Sequence, residues 1–283
     1  MRALKKLKVL NDLIAIMLVI VVVVLMVWPF LYIFLSSFKS MREIMLRATL
    51  LPKDFTLRNY RTLVFARTPV RDFSRFLYNS FVVSLATALC TLVVASISGY
   101  SISRNTRLKR GFTTRLLLLL YVFPTVILLV PLYKAFASLG LYDNLVSLVI
   151  VYTALAVPFC AWLLVSFFDS IPRDIEESAS IDGASSTVIF GRIILPLAAP
   201  GLVTAGAYSF ITAWGEYMFA LVLINSNLKK TGPLGLATFA AEQYIEWGPL
   251  LAGAILIMLP VFLLFVPISG YFIKGFTAGA VKE

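Results

Sequence analysis

The sequence predicts an all-α polytopic membrane protein with six transmembrane helices. Three observations carry that prediction. Apolar residues make up 60% of the chain and charged residues 14%, far from the balance of an ordinary soluble domain. The apolar residues gather into runs long enough to cross a bilayer. Charged residues bracket each run, and the sequence lacks the short alternating segments of a β-barrel.

The runs are residues 13–38, 76–103, 116–133, 144–168, 193–215 with a continuation to 228, and 247–273. Arg2, Lys5, Lys6 and Lys8 precede the first, as in a signal peptide. That run is about twice as long as a secretory core and lacks a small-residue cleavage site, so it should remain as the first helix. It should end near Trp28, Pro29 and Phe30, a cluster suited to a membrane interface. The arginine-rich segment 39–75 offers weakly amphipathic pieces at 41–51 and 60–65. A dense basic turn, 104–110, follows the second run. Pro124 and Pro131 should kink the third. Residues 138–143 make a short turn to the fourth, and a polar stretch, 225–246, leads to the last.

Two cysteines in apolar runs and no histidine argue against a disulfide or metal framework. The net charge of +11 lies in loops between runs, where it sets topology, and no nucleic-acid motif forms.

On the side read below as cytoplasmic, residues 171–201 are the longest polar, helix-capable interval between two runs. Pro172 suits a first helical turn, and Asp174, Glu176 and Glu177 complement the positive end of the helix dipole. Gly183 offers a stop. Ser185 or Ser186 can cap a second short helix, which Pro196 and Pro200 should end. Ser178, Ala179 and Ser180 would let another surface approach closely, so the interval reads as a docking element.

The same residues carry a family pattern, E-A-A-x-x-D-G-A, five residues, then F-x-x-I-x-L-P. Here it reads Glu177-Ser178-Ala179, Asp182-Gly183-Ala184, Phe190, Ile193, Leu195-Pro196, with Ser178 replacing the first alanine. The chain therefore resembles permease subunits of ATP-binding-cassette importers, most of all the second permease subunit of maltose- and trehalose-type carbohydrate importers. Residues 51–60 and 275–282 are similar to sugar-class members in particular.

The resemblance implies a type I importer permease fold in a bacterial or archaeal plasma membrane, with both termini cytoplasmic. It implies a partition into 1–75 (tail, first helix and extracytoplasmic segment), 76–273 (transmembrane core with the coupling loop 170–200) and 274–283 (cytoplasmic tail). It implies partners: a sibling permease, two cytoplasmic nucleotide-binding subunits holding ATP and Mg, an extracytoplasmic sugar-binding protein, and membrane lipid. Glu177, Ser178, Ala179, Asp182, Gly183, Ala184, Phe190, Leu195 and Pro196 would couple to the ATPase. Charge alone orients the chain weakly, because Lys and Arg divide almost evenly between the two sides.

Glu216 is the only acidic residue within an apolar run. With Trp214 and Tyr217 it either lines a substrate path, as an intramembrane ionisable group suggests, or is a structural carboxyl. The arginines of 39–75 would meet a binding protein or headgroups, and 225–246 is either a connector or a reach into the binding protein. The chain has no P-loop and no nucleophile–base pair, so it is not expected to be an enzyme. The alternative, a self-sufficient carrier or channel, would ordinarily keep several ionisable groups at mid-membrane or show related broken halves.

Overall fold

The computed structural model describes residues 2–46, 49–65, 72–105, 110–240 and 245–280. The structure among them is helical throughout: α1 (Arg2–Ser36), α2 (Met41–Leu46), α3 (Arg58–Phe65), α4 (Phe73–Arg104), α5 (Arg110–Val122), α6 (Leu129–Ser138), α7 (Leu145–Asp169), α8 (Arg173–Ile181), α9 (Ser186–Val188), α10 (Leu195–Leu197), α11 (Ala199–Trp214), α12 (Met218–Leu223), α13 (Gly232–Ala237) and α14 (Trp247–Ala280). In hydrocarbon the backbone must satisfy itself, and such helices do so within each segment.

Four helices are each long and apolar enough to span a membrane unbroken: Asn11–Ser36, Phe73–Arg104, Leu145–Asp169 and Trp247–Ile268. The other two expected spans are bent pairs. Gly111–Val122 and Thr125–Ser138 meet at 76°, and Ser186–Leu197 and Ala199–Trp214 at 79°. Counting each pair as one span gives the expected six. Pro124 stands at the first bend in extended conformation (ψ 101), as its missing donor and fixed φ favour. Pro131 lies inside α6 without a break. The second bend falls at Ala198, where no proline stands. Pro196 and Pro200 instead occupy first-turn positions of α10 and α11, where a missing N–H costs nothing.

Some expected boundaries move. Helix α1 runs through Pro29 to Ser36, and α14 continues to Ala280, past the end expected at 273. The amphipathic pieces of 39–75 appear as α2 and α3. Most of the basic turn 104–110 lies outside the described residues, as do 47–48 within the piece 41–51 and 241–244 within the stretch 225–246.

The chain divides into two compact units, residues 1–67 with 236–256, and residues 68–235 with 257–283. In the first, Asn59 donates to the carbonyls of Ser37 and Lys39 at 2.8 and 3.0 Å, fastening α3 to the end of α1. Glu43 accepts from the Thr49 hydroxyl and the Lys53 amide, closing α2 onto the turn after it.

The second unit is built on α4 against α7 and α11. The buried face of α4 carries small or polar residues, among them Ser80, Ser84, Thr87, Thr91, Ala95 and Gly99, a spacing that lets backbones approach in a membrane. A Cβ on Gly99 would stand 3.2 Å from the Ala161 carbonyl oxygen and from Leu164 Cβ of α7. Cys160 is buried in this packing, whereas Cys90 is exposed. At the other end Asp143, in the left-handed region (φ 54), accepts from the amides of Asn225 and Ser226, both at 2.9 Å. Lys229 reaches the Asp143 carboxylate at 3.1 Å. From α4, Arg75 and Asn79 donate to the Leu228 carbonyl, and Ser80 accepts from the Gly232 amide. The segment 225–232 is thereby strapped to both α4 and the start of α7.

Candidate functional site

Two places in the second unit concentrate chemistry. The first is the elbow after α7. Pro172 is the extended residue preceding α8 (ψ 137), one position earlier than the sequence suggests, and Asp174 and Glu176 fill the first turn. The helix ends in a Schellman motif. The Ala184 amide bonds the Ala179 carbonyl at 3.0 Å, and the Gly183 amide bonds that of Ser180 at 3.1 Å. Gly183 takes φ +85, which a side chain would oppose.

The elbow divides its residues between two faces. Glu177, Ser178, Asp182 and Gly183 are exposed, with Ser180, and Ile181 is 87% exposed. Ala179, Ala184, Phe190 and Leu195 are partly buried against the core around Cys160 and Phe168. Pro196 is exposed at the start of α10. Ser185 occupies the N-cap position of α9, its hydroxyl 3.1 Å from that of Thr187. A π-helical turn, Ile189–Ile194, carries the chain from α9 to α10.

Sequence reading missed the anchor of this elbow. Glu176 receives the Arg104 guanidinium at 2.6 Å and the Tyr100 hydroxyl at 2.7 Å, both from the last turns of α4. Arg104 also donates to the Ile171 carbonyl at 3.1 Å, and Arg173 to that of Ser103 at 3.3 Å. The Ser103 hydroxyl bonds the Asp169 carboxylate at 2.7 Å. The available signal was the run of acids at 174–177 facing a basic residue at a helix end, but two charges so far apart in sequence have no visible register.

The second place surrounds Glu216, which lies in the turn between α11 and α12. Its carboxylate accepts from the Phe219 and Ala220 amides, at 3.0 and 3.3 Å, capping α12. It also receives the Tyr152 hydroxyl at 2.5 Å. A cavity of about 230 Å³ opens beside it, lined by Tyr121, Thr125, Tyr152, Tyr208, Thr212 and Glu216 among others. A second cavity of about 290 Å³, mostly apolar, shares Tyr121 and Thr125. Phe159 packs between Tyr121 and Tyr208, with ring centroids 5.0 and 4.3 Å away. Trp214 is not part of this wall. It is buried on the opposite face, stacked on Phe210 and donating to the Ile257 carbonyl at 2.8 Å. Tyr217 packs against the core that holds Leu148 and Leu223.

Long apolar helices beside an aromatic and hydroxyl-lined cavity, with a polar elbow at their end, are the build of a polytopic membrane component. The chain belongs to the family of binding-protein-dependent transport system inner membrane components, whose sequence pattern matches residues 75–275. It is therefore a multi-pass inner-membrane protein of the ATP-binding-cassette permease class, a class of membrane components that are not themselves catalytic. It is 33% identical to the sulfoquinovosyl glycerol transport system permease protein SmoH of Agrobacterium fabrum, over 90% of this chain and 88% of that one. It is 31% identical to the trehalose/maltose transport system permease protein MalG of Thermococcus litoralis, over 97% of this chain and 98% of that one. The fold matches a chain of a bacterial ABC transporter involved in import of the acidic polysaccharide alginate, with a TM-score of 0.77 at 20% identity, covering 93% of this chain and 96% of that one.

Proposed function

We propose that this chain is a permease subunit of an ATP-driven, binding-protein-dependent importer of a sugar-containing solute, and that residues 171–201 dock on a separate ATPase. The observation that carries the docking is the outer surface of α8, where an exposed Ile181 is flanked by Glu177, Ser178 and Asp182. A large apolar side chain displayed among small and acidic ones suits a protein cleft. Glu177 would meet a basic residue there, and Gly183 fixes the angle at which the elbow is offered. Both termini then face the cytoplasm, and a sibling permease completes the pathway that a solute-binding protein loads from the other side. The sugar class is supported by the trehalose, maltose and sulfoquinovosyl glycerol relatives.

ATP binding and hydrolysis at the partner would move the elbow between two positions, and the bundle would open alternately to either side. Such a switch needs differential contacts in its two states, and the ATPase supplies them. The Glu216 cavity would contribute this chain's wall of the path: tyrosine faces and hydroxyls meet a sugar ring, while Glu216 accepts from its hydroxyls.

Reconstitution with the sibling, ATPase and binding protein tests this reading. Vanadate-sensitive uptake of sugar, lost in Gly183→Pro while the complex still assembles, is the expected result. Uptake by the purified chain with no nucleotide-hydrolysing partner would instead make it a self-sufficient carrier.

A further inference from the structure

We infer that Glu176, Arg104 and Tyr100 form the internal transmission of this subunit: through them α4 is driven together with α7 when the elbow is moved. This rests on the reading that residues 171–201 dock on an ATPase, and it assigns work to Glu176, on the face of α8 turned away from that partner, and to the two residues of α4 that meet it.

On the α7 side the backbone does not carry α8 rigidly into the bundle. Between α7 and α8 the chain passes through Ser170, Ile171 and the extended Pro172, so the two helices are not continuous. No residue of α8 is fully buried, and its apolar contact with the core is through Ala179. With the far end of α8 seated on the core through Phe190 and Leu195, a push on it would open the joint at 170–172 unless side chains braced it.

They do. Tyr100 and Arg104 stand one turn apart on α4 and both end on Glu176, one on each carboxylate oxygen. The Arg104 guanidinium also holds the Ile171 carbonyl, in the joint itself. Arg173 and Asp169 reach Ser103 from either side of the joint, at 3.3 and 2.7 Å. The Arg104 and Glu176 side chains are 15% and 16% exposed, so water competes weakly for the pair. Charge-assisted bonds with little solvent around them are the strong kind. They bind the last turn of α4, the end of α7 and the first turn of α8 into one body.

The test is a double-mutant cycle in the reconstituted four-component transporter, reading solute taken up per ATP hydrolysed. Arg104→Ala and Glu176→Ala should each lower that ratio about tenfold or more, with ATPase activity retained, and the double variant should be no worse than either single. Tyr100→Phe, which removes one hydroxyl and no packing, should lower it by a smaller factor and covers the event that the alanine variants fail to assemble. A wild-type ratio in Tyr100→Phe together with wild-type or additive alanine variants overturns the transmission. Gly183→Pro, run in parallel, separates the two readings. If it uncouples transport while the Arg104 and Glu176 variants do not, docking stands and the transmission falls; if none of them uncouples, docking itself falls.

Discussion

The Tyr152 hydroxyl lies 2.5 Å from the Glu216 carboxylate, tying α7 to the turn between α11 and α12. The same carboxylate caps α12, so one side chain both closes a helix end and faces a cavity. A structural and a transport role are therefore superposed, and substitutions can separate them. Glu216→Ala should cost about 1–3 kcal/mol by leaving the Phe219 and Ala220 amides unpaired. Glu216→Gln keeps an acceptor and should keep most of the thermal stability while raising the KM for uptake. Thermal unfolding in detergent and uptake assays read the two effects apart. Uptake by Glu216→Gln indistinguishable from wild type would remove the residue from the path.

Gly183 has open space around its Cα, so its constraint is backbone conformation alone. Alanine at φ +85 should cost roughly 1–2 kcal/mol, and asparagine less, because it visits the left-handed region more readily. The expected order of thermal midpoints is Gly, Asn, Ala, with coupling to ATP falling in the same order.

Four glycines grade the closeness of packing. A Cβ would meet the Phe76 ring at 2.0 Å from Gly235, the Phe167 ring at 2.5 Å from Gly201, and Leu164 at 3.2 Å from Gly99, but nothing from Gly191. Alanine should therefore destabilise in that order, by about 1–3 kcal/mol at the tight positions, the usual cost of overpacking. An equal or greater effect at Gly191 would contradict this packing.

Asp143 makes the strap pH-dependent. Partial burial opposes its ionisation, but the Ser226 and Asn225 amides and Lys229 outweigh that and hold its carboxyl below the ordinary 3.8. A carboxyl with a lowered folded value stabilises fully above the unfolded value and loses that contribution as pH falls through the folded one. Asp143→Asn should thus be less stable than wild type at neutral pH, and the gap should close as the pH drops below about 4. Hydrogen exchange at Asn225 and Ser226 is the local readout. A gap constant across that range would show that ionisation plays no part.

Much of the fold was legible because membrane spans write themselves as uninterrupted apolar runs. Pro124 announced its bend, since a missing donor and a fixed φ act locally. Ala198 announced nothing, because alanine favours a helix and carries no turn signal of its own. Gly183 was readable as a stop for the same local reason that Pro124 was. Trp214 could not be oriented, since in a run that is apolar on every side the sequence does not say which face looks inward.

By itself, the sequence determined which runs are apolar enough to span a membrane and where a polar elbow interrupts them, because apolar composition and the dihedral limits of proline and glycine are local matters. Tertiary structure alone decided that Glu176 would meet Arg104, that Tyr152 would meet Glu216, and that Trp214 would turn away from the cavity. Pairings of that kind depend on the rotation and offset of helices packed side by side, which one strand of residues does not encode in its order.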